Sequence, residues 1–418
     1  MKVMVVGGGG REMALVTAIA KYHNVIVAGG SEAIDQIADE VLSISRESPW
    51  EKLADEAIAH GVVLTIVGPE TPLASGIVDV FRERGLVIFG PTKAAASIES
   101  SKAFAKQIMT EAGVPTAAYQ VFTKREDAQA YLETVSYPQV LKENGLRSGK
   151  GVTICPDLQA ARIVVDSIVI DHENPLLIED FLDGFEYSLI VMVNGENFVA
   201  LPVAQDHKPI GEGNTGPNTG GMGAVSPVPR VTPEIYNEAI DQVIKPTLAQ
   251  MVTSGTPFTG FLYAGLIQTA KGVRVIEFNA RLGDPECEVI LPRIKSDIAS
   301  VALHLLKGEA AEVSIDDSVC LGVVLSSPGY PGVITSSPAL PKVLIDRVVQ
   351  SPNASIIHMG THFDFDAGTW VAAGGRVAIV TMKGNDIDEC RRELLPLLEE
   401  ALSGSDLYWR KDIGTFAG

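Results

Sequence analysis

The sequence predicts a multidomain α/β and α+β chain that opens with a doubly wound parallel α/β domain. Three observations predict it. Short apolar runs at 2–6, 25–28, 63–67 and 87–89 each stop at a glycine or proline turn. Stretches with helical spacing, at 11–21, 50–60 and 77–84, separate them. Strands that end at glycine turns, with helices between, form parallel βαβ units. The third observation is length: 418 residues hold about two to four domains with sizeable cores. Such sheets bind ligands at the carboxyl ends of their strands. Here those ends carry Gly-Gly-Gly-Gly at 7–10 and Gly-Pro-Glu at 68–70.

Past residue 90 the pattern changes. Residues 92–113 have continuous helical spacing, broken by Gly113-Val-Pro115. A small α+β unit follows, with strands at 137–142, 152–154 and 176–178, a glycine loop at 145–151 and a helix at 158–168. Residues 209–229 are rich in Gly, Pro and Asn and read as a long loop. A helix at 233–253, strands at 260–269 and 273–280 and a helix at 292–306 complete the middle of the chain. A boundary falls near 308–318, and the last hundred residues hold strands at 319–326 and 376–383 and a helix at 387–402. The expected division is 1–100, 101–190, 191–318 and 319–418.

Composition narrows the function. Hydrophobic residues make up 46% and charged residues 20%, the balance of a folded globular chain. A net charge of −19 disfavours a nucleic-acid surface. A phosphate ligand would need a locally basic site or backbone N–H donors. Cys155, Cys287, Cys320 and Cys390 are scattered, with no C-x-x-C pair. That argues against zinc or a disulfide framework and for a reducing cytoplasm. No apolar run reaches membrane-span length, and the amino-terminal apolar run is too short for a signal peptide. A soluble cytoplasmic protein, free of membrane or nucleic-acid partners, is expected.

The segment Val275-Ile-Glu-Phe-Asn-Ala-Arg-Leu-Gly-Asp-Pro-Glu286 is the most informative. On a strand, residues two apart share a face. Glu277, Asn279 and Arg281 then line up as carboxylate, amide oxygen and guanidinium, with Ile276, Phe278 and Ala280 facing the core. Hard oxygen ligands suit Mg²⁺ held with substrate phosphates, and an arginine suits charge growing on a transferred phosphoryl group. A solvated polar face satisfies the same spacing. Residues 7–12, Gly-Gly-Gly-Gly-Arg-Glu, turn from strand to helix and could hold an anion at the helix start. A plain tight turn fits as well. Glu12 stands where a dinucleotide fingerprint needs its third glycine, which leaves a nicotinamide oxidoreductase only as a rival reading.

Lys142 ends a strand before the glycine loop 145–151, which can fold over phosphates. That loop is one residue short of a P-loop and has Gly151 in place of Ser or Thr. Glu179 and Glu186 follow another strand, where backbone can pair with an adenine edge and a carboxylate can take ribose hydroxyls. Residues 206–223, with Asp206-His-Lys208 and then many glycines, suit close approach to a small polar ligand.

In this order the segments resemble the phosphoribosylamine–glycine ligases of the ATP-grasp superfamily. The stretches that carry the resemblance include GGGGRE at the start, GPTKAAASIESSKAFAK at 90–106, GLRSGKGV at 145–152, IEDFLDGFEYS at 178–188, AQDHKPIGEGNTGPNTGGMGA at 204–224, EFNARLGDPE at 277–286 and RKDIG at 410–414. The resemblance implies an N-terminal α/β domain, an ATP-grasp lid, a central ATP-grasp domain and a small C-terminal α+β domain. It implies ATP-driven joining of glycine to 5-phosphoribosylamine through a glycyl phosphate, under a lid that excludes water. It also implies Mg²⁺ or Mn²⁺ on Glu277 and Asn279, and catalytic roles for Arg281 and Asp284. The implied ATP contacts are Lys106, Lys142, Gly149, Lys150, Gly151, Glu179, Phe181, Leu182 and Glu186. The implied substrate contacts are Gly8, Gly9, Arg11, Glu12, Glu70 and Asp206, then Asn214, Thr215, Pro217, Asn218, Thr219 and Gly220. A monomer or weak homodimer is expected. The chain departs from the family pattern at Met13 (His in GREHAL), Asn144 (an acid), Pro209 (Arg in DHKR), Ala280 and Leu282. These departures keep open a related ATP-grasp ligase with another amine acceptor. A catalytically silent nucleotide-binding protein is a further alternative.

Overall fold

The structure, a computed structural model, describes residues 1–43, 49–146 and 151–415. Five strands form the first sheet: β1 (Lys2–Val6), β2 (Asn24–Ala28), β3 (Glu40–Leu42), β4 (Leu64–Val67) and β5 (Ile88–Phe89). They are all parallel and run in the order β3-β2-β1-β4-β5. Helices Gly10–Ile19, Trp50–Ala59 and Ile77–Glu83 connect them, as the alternating pattern requires. Buried strands flanked on both faces by helices or other layers read as continuous apolar runs.

The expected helix at 92–113 is two helices, Lys93–Ser100 and Lys102–Ala112. Ser101 lies between them in extended backbone, and its hydroxyl accepts from Phe104 N–H at 3.2 Å. A serine cap thus restarts the helix in a new direction. The second helix carries Lys106 inward and stops at Gly113 in the left-handed region, φ 67°.

Next comes a small antiparallel sheet of β6 (Tyr119–Phe122), β7 (Gln139–Glu143), β8 (Val152–Cys155) and β9 (Leu176–Asp180), ordered β6-β9-β7-β8. Helices Arg125–Leu132 and Leu158–Ser167 pack on it around their own core of Ala128, Leu132, Leu141, Cys155, Ala161, Val165, Leu176 and Ile178. A core of its own makes this unit a candidate lid. The glycine loop predicted between β7 and β8 falls largely on residues 147–150, so Gly149 and Lys150 lie outside the described residues.

The middle of the chain is built on β10 (Phe185–Asn194) and β11 (Asn197–Ala200), then β12 (Gln205–Asp206), β13 (Pro209–Gly211), β14 (Thr215–Asn218) and β15 (Gly223–Ser226), and finally β16 (Thr259–Thr269) and β17 (Gly272–Asn279). Strands β11-β10-β16-β17 form one antiparallel sheet. The last hundred residues add β18 (Val319–Ser326), β19 (Ala354–His358), β20 (Thr361–Asp364), β21 (Thr369–Ala372) and β22 (Arg376–Gly384). The predicted loop at 209–229 is instead a β13–β14 hairpin followed by β15. Both β12 and β15 join the C-terminal sheet, β12-β15-β18-β22-β19, so that sheet crosses residue 318. Glycine-rich composition hid these strands, because their pairing is decided by distant partners rather than by side-chain alternation.

Two other predicted helices are interrupted. The 233–253 stretch is Pro233–Ala239, a π-turn at Ile240–Ile244, and Lys245–Thr253. The 292–306 stretch is a 3-10 turn, Leu291–Arg293, then the helix Ile298–Leu306, whose Asp297 cap accepts from Ala299 N–H at 3.1 Å.

One large core joins the first sheet to the C-terminal sheet, and a second joins it to the β10–β17 sheet. Phe89, fully buried, meets Phe261 edge-on with centroids 5.2 Å apart. Among the described residues no helix is long and apolar enough to cross a membrane. Truncating Phe89 to alanine removes a ring from a close-packed junction. Phe89→Ala is expected to cost about 3–5 kcal/mol of stability, read as a lowered midpoint in urea unfolding.

Candidate active site

The β17 strand does not keep the simple alternation its sequence suggests. Gly265 pairs with Glu277, but Leu266 pairs with Val275, so Ile276 is an extra residue on β17. Such a bulge swings the chain and re-aims the residues beyond it. Val275 and Phe278, three apart, are both buried, while Ile276 is only half-buried and is not a core residue as expected. Glu277 and Asn279 still share a side, opposite Gly265 and Tyr263. The strand ends at Asn279, so Arg281 lies beyond it, in the turn.

The carbonyl that the bulge exposes is used. Lys142 Nζ, from the end of β7, donates to Ile276 O at 2.9 Å. The same ammonium lies 3.0 Å from Glu179 Oε2 on β9. Lys106 Nζ lies 3.1 Å from that oxygen and donates to Thr116 Oγ1 at 2.7 Å. All three charged side chains are buried. Burial pushes the Lys106 ammonium down to about 8, against the attraction of Glu179, and Lys142 adds its repulsion. Glu179, expected as an adenosine contact, has its carboxylate between the two lysines instead. The exposed Phe181 and half-buried Leu182 lie on the connection into β10, and the exposed Glu186, on β10, pairs with Lys208 at 3.0 Å. Buried Gly151 accepts from Glu143 N–H at 2.8 Å and closes the base of the glycine loop.

Burial opposes ionisation of Glu277, but Lys208, Lys142, Arg281 and Lys102 outweigh it and hold its carboxyl below the usual range. One carboxylate among several cations is an anion-receptive arrangement on a chain of net charge −19. Arg281 reaches the N-terminal domain: its NH2 is 3.0 Å from Glu99 Oε1 and its Nε 3.4 Å from Glu70 Oε2. Arg11 joins the same cluster, 3.6 Å from Glu70 and donating to Gly68 O at 2.7 Å. Glu99 also accepts from Ala280 N–H at 2.8 Å. Glu99 lies within the 90–106 stretch that carries the resemblance, but no role is implied for it there.

The glycine turn at 7–10 is close-packed. A side chain on Gly8 would come within 2.5 Å of Gly29 O. Glu12 Oε2 accepts from Gly9 N–H at 2.7 Å and so caps its own helix. That N–H is therefore committed within the protein, where an anion donor was expected.

Asp206 is half-buried near Glu286, and desolvation and that neighbour raise its pKa well above its ordinary value, against Lys208 and Arg376. At Gly221, φ 110°, the first carbon of any side chain would come within 2.3 Å of Pro285 Cδ and 2.7 Å of Asp206 Oδ1, so only glycine fits there. Asp284 pairs with Arg376 at 2.8 Å, and Arg376 also donates to Gly220 O at 2.6 Å. Arg376 comes from β22, nearly a hundred residues downstream, and carried no sequence signal. Glu286 accepts from Ser188 Oγ at 2.7 Å and Tyr263 OH at 2.9 Å. Thr219 donates twice to Lys208 O and Gly220 N–H donates to Tyr330 OH. By contrast, Asn214, Thr215, Pro217 and Asn218 form the exposed part of the β13–β14 hairpin, away from Glu277 in the chain's pairing.

The three departures that bear on the acceptor have protein partners. Met13 Sδ accepts from His358 N–H at 3.1 Å, Asn144 Oδ1 accepts from Ala103 N–H at 3.3 Å, and Pro209 O accepts from Arg410 NH1 at 2.8 Å.

A small lid sheet over a central antiparallel sheet, with two lysines and an acid–amide strand between them, defines an ATP-grasp protein. The phosphoribosylglycinamide synthetase models match in three consecutive parts: the N domain at residues 1–99, the ATP-grasp (A) domain at 100–287 and the C domain at 320–416. The chain belongs to the phosphoribosylglycinamide synthetase family. It is 40% identical over 421 residues to a phosphoribosylamine–glycine ligase of Lactococcus lactis, covering 100% of both chains. It is 41% identical over 431 residues to one of Escherichia coli, covering 99% of this chain and 98% of the other. The crystal structure of phosphoribosylamine–glycine ligase from Thermotoga maritima superposes with a TM-score of 0.82 at 27% identity, over 99% and 100% of the two chains.

Lys106 should be read out by pH. Its ammonium is lost on raising pH through about 8, so polyphosphate affinity should fall by up to about tenfold per unit above that value. An unfolded lysine keeps its proton to about 10.4, so the same group makes stability rise between those two pH values. Calorimetric titration of tripolyphosphate across this range should show the fall, and Lys106→Arg should flatten it.

Proposed function

We propose that the chain joins glycine to 5-phosphoribosylamine, using ATP and a divalent metal ion, and yields glycinamide ribonucleotide, ADP and phosphate in purine biosynthesis. The observation that carries this reading is the buried Lys106–Glu179–Lys142 cluster, seated on the Ile276 carbonyl immediately before Glu277 and Asn279. Two lysines already desolvated and held by one carboxylate are placed to exchange that carboxylate for phosphate oxygens.

The donor set fits the metal. Glu277 offers a carboxylate held ionised by its neighbours, and Asn279 a neutral oxygen on the same side. Among the described residues no group of three His, Cys, Asp or Glu side chains could hold a metal by itself. A hard ion that takes its remaining ligands from phosphate and water, Mg²⁺ or Mn²⁺, suits so open a site. Such an ion supplies charge neutralisation at the transferred phosphoryl group.

The chemistry follows from what a carboxylate lacks, a good leaving group. A glycine carboxylate oxygen attacks the γ-phosphorus, ADP leaves and glycyl phosphate forms. The acceptor nitrogen then attacks the carbonyl carbon, the C–O bond to phosphate breaks and one amine proton is released. Lys106 and Lys142 hold the polyphosphate, and Arg281 adds positive charge from the N-terminal side. In this reading Asp284, paired with Arg376 beside Gly220, is the carboxylate that receives the amine proton. Asp206 and the 219–221 backbone line the same region. About 40% identity along the whole chain to phosphoribosylamine–glycine ligases supports phosphoribosylamine over a different acceptor. Glu12's capping of Gly9 likewise weighs against dinucleotide binding. Four free, buried cysteines support a reducing, cytoplasmic setting.

The test is ADP release from protein, Mg-ATP, glycine and freshly made phosphoribosylamine. Release that needs both glycine and the amine is expected; ATP turnover indifferent to the amine would refute the reading. Glu277→Ala should lower kcat by about a hundredfold or more, the scale of lost transition-state electrostatics, with an unchanged unfolding midpoint. Full activity in that variant would remove Glu277 from the metal site.

A further inference from the structure

The C-terminal stretch 408–414 makes a set of contacts that the reaction just described does not use. Arg410 has no solvent exposure. Its Nε and NH2 donate to Asp412 Oδ1 and Oδ2 at 2.8 and 2.7 Å, a fork-on-fork pair. Its NH1 donates to Pro209 O at 2.8 Å, and its NH2 also to Asn214 Oδ1 at 3.1 Å. Asp412 Oδ2 in turn accepts from Gly213 N–H at 2.8 Å. Tyr408 OH donates to Ile210 O at 3.0 Å, Lys411 N–H to Glu212 Oε1 at 3.1 Å and Gly414 N–H to His207 Nε2 at 3.4 Å. Apart from the Arg410–Asp412 pair inside the stretch, every one of these partners lies between 207 and 214.

The stretch is itself anchored. Tyr408 and Ser326 exchange backbone bonds at 2.8 and 2.9 Å, tying it to β18. Arg391, on the helix Ile387–Ala401, donates to the carbonyls of Lys411 and Ile413. A rigid strap therefore grips a hairpin that is otherwise exposed and glycine-rich. The two legs of that hairpin lead directly to the pocket. Lys208, on the first leg, pairs with Glu186 and neighbours Glu277. Gly220 and Gly221, on the second, meet Arg376, Pro285 and Asp206. Thr219 ties the legs together through Lys208 O.

We propose that Arg410 is a positioning residue for the acceptor amine: through the clasp 408–414 it sets the hairpin so that Lys208 and the 219–221 backbone face Asp206 and Asp284 in one geometry. This rests on the ligase reading for the identity of the acceptor, but the clasp itself does not. A lysine cannot replace Arg410, because a single ammonium lacks the planar fork that serves Asp412, Pro209 and Asn214 together.

The test uses the full chain with Arg410→Lys and, because a buried arginine variant can fail to fold, the milder Tyr408→Phe and Asp412→Asn. The KM for phosphoribosylamine should rise by about fivefold or more, the factor one lost hydrogen bond is worth, while the KM for ATP and the unfolding midpoint of Tyr408→Phe stay as in the parent. Amide exchange over 206–221 should quicken in all three variants. Unchanged acceptor KM in the folded variants, or an equal rise in both KM values, would overturn the proposal. If the parent chain shows no amine-dependent ADP release, the ligase reading falls, and amide exchange alone still decides the clasp: unaltered exchange over 206–221 rejects it.

Discussion

Two ammonium groups held close together out of water repel each other and lose their hydration, so they need a carboxylate between them. Glu179 supplies it for Lys106 and Lys142, and much of the architecture is arranged around that need. Lys106 comes from the helix linking the first domain to the lid, Lys142 and Glu179 from adjacent lid strands, and the Ile276 carbonyl from the central sheet. Four parts of the chain must meet for this one cluster to be satisfied. The cluster therefore locks lid to centre while keeping two cations next to the Glu277 strand.

The same constraint explains how an acidic chain can receive a polyanion. The average surface repels phosphate, but Lys102, Lys106, Lys142, Lys208 and Arg281 converge on a short stretch around Glu277. Most of these cations are balanced by protein carboxylates: Glu179, Glu186, Glu70 and Glu99. These pairs spare the cations bare burial, which lowers the cost of keeping the cluster assembled without ligand. Arg281 extends the pattern by tying the turn after β17 to Glu70 and Glu99 of the first part of the chain.

How much of this was legible depended on how local the signal was. Strands β1, β2 and β4 followed from apolar runs ended by glycine turns, and Lys142, Glu179 and Glu277 from strand ends. The β13–β14 hairpin and β15 were not legible, because glycine and proline read as loop unless a distant strand supplies the pairing, as β18 does. Ser101 hid a helix break, since one serine cap leaves the helical spacing intact on both sides. The Ile276 bulge reversed an inward assignment, because strict alternation fails wherever one residue is added to a strand.

By itself the sequence determined the parallel first domain, the order of the glycine loops, and the identity of the residues able to bind phosphate or a hard metal. These depend on near neighbours and on side-chain chemistry. Only the tertiary structure decided which of them meet. It placed Glu179 between two lysines, Glu12 on its own helix start and Arg376 on Asp284, and it turned the chain's last described residues into a clasp on the 209–218 hairpin. Contacts such as Arg376–Asp284 and Arg410–Pro209 join residues roughly 90 and 200 positions apart, and no local periodicity encodes a partner at that distance.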